Sequence, residues 1–296
     1  VPGEPSARFP VNFLGYMESA RVIDSRVAGF DYGDAVGTTF GHKTGHTADP
    51  RHDLLMKLPR DMDPMLGIYV AQMGPIAANG ILHADAEAFG AAVPHLGAGV
   101  AGRPVLVWGG GTVGLLVALF ARRAGASEIV IAEPSPFRQD IARAMGFLAM
   151  GEDEAWHHAK SAWYSPSGGR GAEVVFQTRA RSESLNLCLR ALRPQGTVID
   201  LAFYQGGADC LRLGEEFHHN GLRLVCAQIN RMPRPLAALW DQRRLAAETV
   251  GLLQQEGAAI REHMITHVVP YDEAPGFLRH LVAERPDFLQ VVFAHE

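Results

Sequence analysis

Three glycines and one carboxylate carry the clearest chemistry in this chain. Gly109, Gly111 and Gly114 form a Gly-x-Gly-x-x-Gly run between the apolar segment PVLVW and the segment TVGLLVALFARR, whose apolar positions recur at helical spacing. The pattern predicts a strand, a tight turn and a helix. Gly109 permits the turn, Gly111 has no Cβ to hold an anion off the backbone, and Gly114 lets helix and strand close up. The helix opens with Thr112 and Val113, whose N–H groups lie in the first turn, where no helical carbonyl reaches them. Unpaired N–H groups and the positive end of a helix suit a pyrophosphate. A second strand, EIVIAE, ends at Glu133. A carboxylate there accepts hydrogen bonds from both hydroxyls of an adenosine ribose and repels a 2′-phosphate. The expectation is a dinucleotide site that prefers NAD to NADP, with Arg138 at its adenine end. S-adenosylmethionine, whose sites also place an acid at the end of the second strand, is the competing ligand.

Other polar residues suit binding or proton transfer. The loop 38–53 carries His42, His46 and His52 with Lys43 and Asp49. An imidazole with an ordinary pKa of about 6.5 exchanges protons at neutral pH, so His42 and His46 are expected to act on substrate. Convergence of these histidines with Asp49 on a metal is the alternative. Asn79 and His83 lie one helical turn apart and face either the cleft or the protein's own packing. Gln177 and Arg179 close the strand EVVFQT, and Phe203 and Tyr204 follow the strand TVIDL. Ligands of open α/β sheets bind at strand carboxyl ends. Gln177 and Arg179 are therefore expected at the cofactor, Arg179 suiting its phosphates or an anionic substrate, and Phe203 near a nicotinamide.

These residues need a scaffold. From about residue 103 strands and helices alternate: VLVWG, TVGLLVALFARRAG, EIVIAE, SPFRQDIARAMG, EVVFQT, SESLNLCLRALRPQG, TVIDLAF and LRLVCAQ. Such a run predicts an open, mostly parallel sheet with helices on both faces. Residues 1–75 read as short strands and loops, among them VNFLGYM, SARVIDSRV and FDYGDAV, and 65–86 as an apolar helix that Pro75 interrupts unless a boundary falls there. A long helix is expected over 235–257, then HMITHVV, a short helix near Pro275 and the alternating tail FLQVVFA.

The 296 residues hold 27 Lys and Arg against 32 Asp and Glu, a formal charge of −5. That balance gives no general attraction to nucleic acid or an anionic membrane. The uncharged stretch 104–121 has its glycines in the middle, which argues for a buried strand–turn–helix instead of a membrane span. Cys188, Cys210 and Cys226 form no Cys-x-x-Cys pair, and a reducing, cytoplasmic compartment is expected. The first residues show neither a basic start nor an apolar run, so no signal peptide is expected. The chain opens at Val1, so either the numbering begins inside a longer protein or an N-terminus was removed.

The order and spacing of the blocks LGYMESARVIDSRVAGFDYGDAV, GPIAANGILHA, VLVWGGGTVGLLVALFARRAGASEIVIAEPSPFR, GAEVVFQTRARSESLNLCLRALRPQGTVIDL and MITHVVPYDEAPGFLRHL resemble the medium-chain dehydrogenase/reductase superfamily, the zinc alcohol and polyol dehydrogenases. The resemblance implies an α/β Rossmann-type NAD-binding domain over 77–226. It also implies a mainly β, GroES-like catalytic domain split over 1–76 and 227–296, with the active site between them. It fails at the zinc. Tyr16 stands where the family has its ligand histidine and Gly74 where polyol-type members have a ligand glutamate. A phenol with a pKa of about 10 is a poor zinc ligand, and no catalytic zinc is expected. Tyr16 then becomes a candidate to polarise a substrate carbonyl or relay a proton.

The resulting expectation is an NAD-dependent oxidoreductase acting on an alcohol or carbonyl of a small molecule. A zinc-free double-bond reductase, a redox-neutral epimerase or lyase, and a non-catalytic nucleotide-binding protein are the alternatives. LRLVCAQ, apolar on both faces, is expected to be covered by helices and to pair edge to edge with its copy in a homodimer. The segment NRMPRPLAAL folding over that edge is the opposing possibility.

Overall fold

A computed structural model describes residues 15–165 and 168–295. It opens with a three-stranded antiparallel sheet, β1 (Glu18–Arg21), β2 (Ala35–Thr38) and β3 (Met56–Lys57), in that order. The FDYGDAV turn sets its geometry. Gly33 adopts φ +88°, and the Asp34 carboxylate accepts the Asp31 N–H at 2.7 Å and pairs with Lys57 of β3 at 2.5 Å. Of the expected strand VNFLGYM, residues 11–14 lie outside the described residues, and 15–17 are not strand. A 3-10 turn over Pro64–Tyr69 precedes helix α1 (Met73–Phe89), so the helix expected over 65–86 is two elements, with Pro75 in the first turn of the second. There its missing N–H costs nothing.

The chain then alternates through β4 (Pro104–Trp108), α2 (Thr112–Arg123), β5 (Glu128–Ala132), α3 (Pro136–Ala144), β6 (Leu148–Met150), α4 (Glu152–Ala162), β7 (Ala172–Gln177), α5 (Ser182–Ala191), β8 (Leu192–Asp200) and β9 (Arg223–Cys226). The six strands form one parallel sheet in the order β6-β5-β4-β7-β8-β9. This order reverses between β4 and β7 and opens a crevice at their carboxyl ends. Alternation along the strands builds two cores. Val105 and Val107 of β4 face the layer of α1 and α2, with Leu115, Leu116 and Leu119, while Leu106 and Trp108 face α4 and α5, with Ala155, Ala159 and Leu189. Cutting a fully buried leucine such as Leu115 to alanine costs about 2–5 kcal/mol, so this sheet is a firm base for what stands at its rim.

Helix α6 (Gln242–Ala259) returns to pack on α1 and α2. It starts later than the expected 235, because Asp241 caps it by accepting the Arg244 N–H at 2.7 Å. A parallel pair, β10 (Ile265–Pro270) and β11 (Gln290–Ala294), with α7 (Ala274–Glu284) between them, completes the chain. Strand β9 departs from expectation. Helices do not cover both of its faces: Leu224 is 40% exposed and Cys226 is exposed. No helix among the described residues is long and apolar enough to cross a membrane.

Candidate functional site

The glycine run sits at the crevice, and each glycine has a steric reason. Gly109 adopts φ +112°, and a Cβ there would lie 2.6 Å from Thr178 Oγ1. A Cβ on Gly114 would lie 1.8 Å from the Gly109 carbonyl oxygen, so helix and turn touch. Beside Gly111 the space is open, its nearest neighbour being Arg138 Nη1 at 3.7 Å. No side chain caps α2 at Gly111, so its first-turn N–H groups, those of Thr112 and Val113 among them, receive no side-chain cap.

Glu133 lies buried just past β5. Its Oε2 accepts the Gly110 N–H at 2.7 Å and its Oε1 accepts the Ser135 N–H at 2.9 Å, so the carboxylate is fixed against the turn. A cavity of about 320 Å³ opens there, lined by Gly109, Gly111, Glu133, Arg138, Arg179 and Arg181 among others. Its size is near the lower end for ligand sites and fits part of a dinucleotide. Arg179 stands between two carboxylates, with Nη1 3.8 Å from Glu133 Oε1 and Nε 3.7 Å from Glu152 Oε1. Glu152 is held in turn, accepting Trp108 Nε1–H and the Ser184 hydroxyl, both at 2.6 Å. Arg181, Thr178 and Glu152 were not singled out by the sequence patterns. Glu152 begins a helix after the third strand, which is the one local signal that marks it.

Gln177 is fully buried and braces its own turn: its Oε1 accepts the Arg179 N–H at 3.3 Å and its Nε2 donates to the Arg181 carbonyl at 3.4 Å. It supports the cavity wall from behind and does not line it. Beside it, Asp200 at the end of β8 accepts the Ala202 N–H at 3.0 Å and the Tyr204 hydroxyl at 3.2 Å. Burial pushes the Asp200 carboxyl up to about 6 and the Tyr204 phenol well above its usual range. Phe203 is 68% exposed at the same rim.

A second group lies on the N-terminal sheet. The His42 ring occupies the space beside Gly15, where a Cβ would lie 2.2 Å from its Nε2, so it stands against the backbone one residue before Tyr16. Desolvation by this packing holds the His42 imidazole below its usual pKa. His46 instead packs its ring against Phe40, centroids 3.9 Å apart. Tyr16 is 44% exposed. Asn79 and His83 take the packing role. Asn79 Nδ2 donates to the Gln228 carbonyl at 2.9 Å, and His83 Nε2 bonds the Arg231 carbonyl at 3.0 Å, tying the segment after β9 down onto α1. Asn79 is fully buried and stands among its own backbone partners, away from solvent.

At Gly74, one of the two positions where the resemblance implies a zinc ligand, the residue present does not fit the metal. Gly74 supplies no ligand, and the place a side chain would take is filled from α6, with Thr249 Cγ2 2.1 Å from a Cβ built at Gly74. Among the described residues no three His, Cys, Asp or Glu side chains are grouped to hold a metal ion.

Residues 112–232 match the family model described as zinc-binding dehydrogenase. The D-guloside 3-dehydrogenase of Escherichia coli K12 is 30% identical over 187 residues, which are 62% of this chain and 52% of that enzyme. The chain thus spans about half the length of the curated relative it matches. In fold it is similar to an alcohol dehydrogenase from Thermotoga maritima, with TM-score 0.71 and 17% identity over 96% of this chain and 84% of that one. A protein from Sinorhizobium meliloti 1021, assigned as a zinc-binding dehydrogenase and bound to NADP, is comparable, with TM-score 0.67 and 20% identity over 96% and 84%.

Proposed function

We propose that this chain, whose residues 112–232 match the family model described as zinc-binding dehydrogenase, is a nicotinamide-dependent oxidoreductase that interconverts an alcohol and a carbonyl on a small molecule without a catalytic zinc. The observation that carries this reading is the uncapped start of α2 behind Gly109, Gly111 and Gly114, with the fixed Glu133 carboxylate beside it. When bound, the cofactor supplies the hydride acceptor or donor. Gly111, Thr112 and Val113 hold the pyrophosphate by backbone N–H groups, and Glu133 accepts the adenosine ribose hydroxyls with its remaining lone pairs. A carboxylate at that position favours NAD(H) over NADP(H).

Tyr16 and His42 are the pair proposed to serve the substrate. The Tyr16 hydroxyl donates to the carbonyl oxygen, and His42, whose imidazole is held toward its neutral form by desolvation, accepts the proton that an alcohol releases. The same reading divides the chain into a GroES-like part, residues 1–76 and 227–296, and a Rossmann part, residues 77–226, with substrate bound between the two. The exposed edge and side chains of β9 support a homodimer built by continuing the sheet.

Calorimetric titration with NAD+, followed by a screen of alcohols and aldehydes for substrate-dependent NADH formation or consumption in the presence of a chelator, tests the reading. Binding and turnover that persist under chelation are expected. Absence of NAD+ binding, or activity abolished by chelation and restored by zinc, overturns it.

A further inference from the structure

Arg179 stands among groups whose hydrogen bonds are already made without it. Glu133 has its two backbone N–H donors, and Glu152 has the Trp108 indole and the Ser184 hydroxyl. The guanidinium lies 3.8 and 3.7 Å from these carboxylates, close enough to offset their charge yet too far to donate a good hydrogen bond to either. Its Nε is buried and, among the described residues, has no hydrogen-bond partner. The side chain keeps 30% of its surface exposed and lines the cavity with Arg138 and Arg181. Its root is fixed: Thr178 Oγ1 donates to the Trp108 carbonyl at 2.9 Å, and the Arg179 Cβ lies 3.4 Å from a Cβ built at Gly109.

We propose that Arg179 limits cofactor discrimination at this site by admitting a 2′-phosphate beside Glu133, so that NADP(H) also binds, though more weakly than NAD(H). The inference rests on the dinucleotide reading above. Glu133 alone would repel a phosphate on the ribose. A guanidinium within 4 Å of that carboxylate offsets its field and presents free donors that match phosphate oxygens. A neutral 2′-hydroxyl draws little from the same group, so the effect falls on one cofactor. Glu133 sets the preference and Arg179 limits its size.

The experiment is calorimetry on the full chain with NAD+, NADP+, 5′-AMP and 2′,5′-ADP, using wild type, Arg179→Ala, Arg179→Gln and Arg179→Lys, each checked by thermal melting. Arg179→Ala and Arg179→Gln should weaken NADP+ and 2′,5′-ADP about tenfold or more, the scale of one charge-assisted hydrogen bond, and change NAD+ and 5′-AMP by less than about threefold. Arg179→Lys should recover part of the NADP+ affinity. If the alanine variant does not fold, the glutamine variant, which keeps much of the volume and polarity, carries the test. Equal losses for both cofactors, or unchanged NADP+ affinity, overturn the proposal. So does a wild type that binds NAD+ but not NADP+, which leaves the dinucleotide reading intact. A wild type that binds neither removes that reading as well.

Discussion

Asp85→Asn should change how stability depends on pH, by an amount the structure sets. Asp85 lies on α1, fully buried, and accepts the N–H groups of Gly97 at 2.8 Å and Gly99 at 2.7 Å, which fastens the helix to the loop leading into β4. Desolvation raises its pKa from 3.8 to about 6, with those two N–H groups and His95 opposing only in part. The native state therefore binds this proton more tightly than the unfolded chain, and the stability it contributes is lost as pH rises through 3.8 to about 6. At about 1.4 kcal/mol per pKa unit the whole window is worth roughly 3 kcal/mol, of which about 2 kcal/mol falls between about pH 4.5 and 7.5. Asp200, also raised to about 6, titrates in both proteins and drops out of the comparison. Urea unfolding followed by tryptophan fluorescence at the two pH values measures the gap between variant and wild type. The gap should move by about 2 kcal/mol in the variant's favour on going to the higher pH. A gap that stays constant refutes the reasoning, because the carboxylate would then ionise inside the protein as it does in water.

The remaining predictions concern the site and the assembly. Gly114→Ala, whose Cβ would lie 1.8 Å from the Gly109 carbonyl oxygen, should weaken NAD+ at least about tenfold and lower the melting temperature; calorimetry and melting curves together check this. Gly74→Glu should not confer zinc binding and should destabilise the fold by about 1–3 kcal/mol or more, since Thr249 fills the space, with elemental analysis and denaturant unfolding as the measurements. Tyr16→Phe should lower turnover by about tenfold or more while leaving NAD+ affinity unchanged, and a parallel loss of both would place Tyr16 outside the substrate chemistry. Light scattering should give twice the 32.1 kDa chain mass, with Val225→Pro shifting the protein toward monomer.

What the sequence revealed was what it stores locally. The glycine run, Glu133 and the strand–helix alternation depend on neighbours a few residues apart, and their roles follow from the absence of a Cβ or the position of one acid. Strand β6 and helix α4 were not separately identified, because three residues, Leu148–Met150, give no period, and the helix buries only Ala155 and Ala159. The residue pattern carries α5 on through Gly196, since Pro194 and Gly196 look like a helix stop. In the fold this stretch pairs with β7 across a bulge, with Gln195 at φ +59°. TVIDLAF was likewise expected to run on past Asp200, where the strand ends. Asn79, Gln177 and Arg179 illustrate the limit on the site. Residue type marks each as polar and able to bind, but only the assembled chain shows that Asn79 meets carbonyls of the segment after β9 and that Arg179 meets Glu152.

The contact between Gly74 and Thr249 also constrains the history open to this sequence. A ligand side chain placed at Gly74 collides with Thr249, while shrinking Thr249 first leaves a hole between two packed helices, since that residue is fully buried. Neither order passes through an intermediate of undiminished stability, and Tyr16 would have to change as well before any metal rewarded the exchange. Placing a ligand side chain at position 74 is therefore an uphill sequence of coupled steps, with the crossing of the two helices as its barrier.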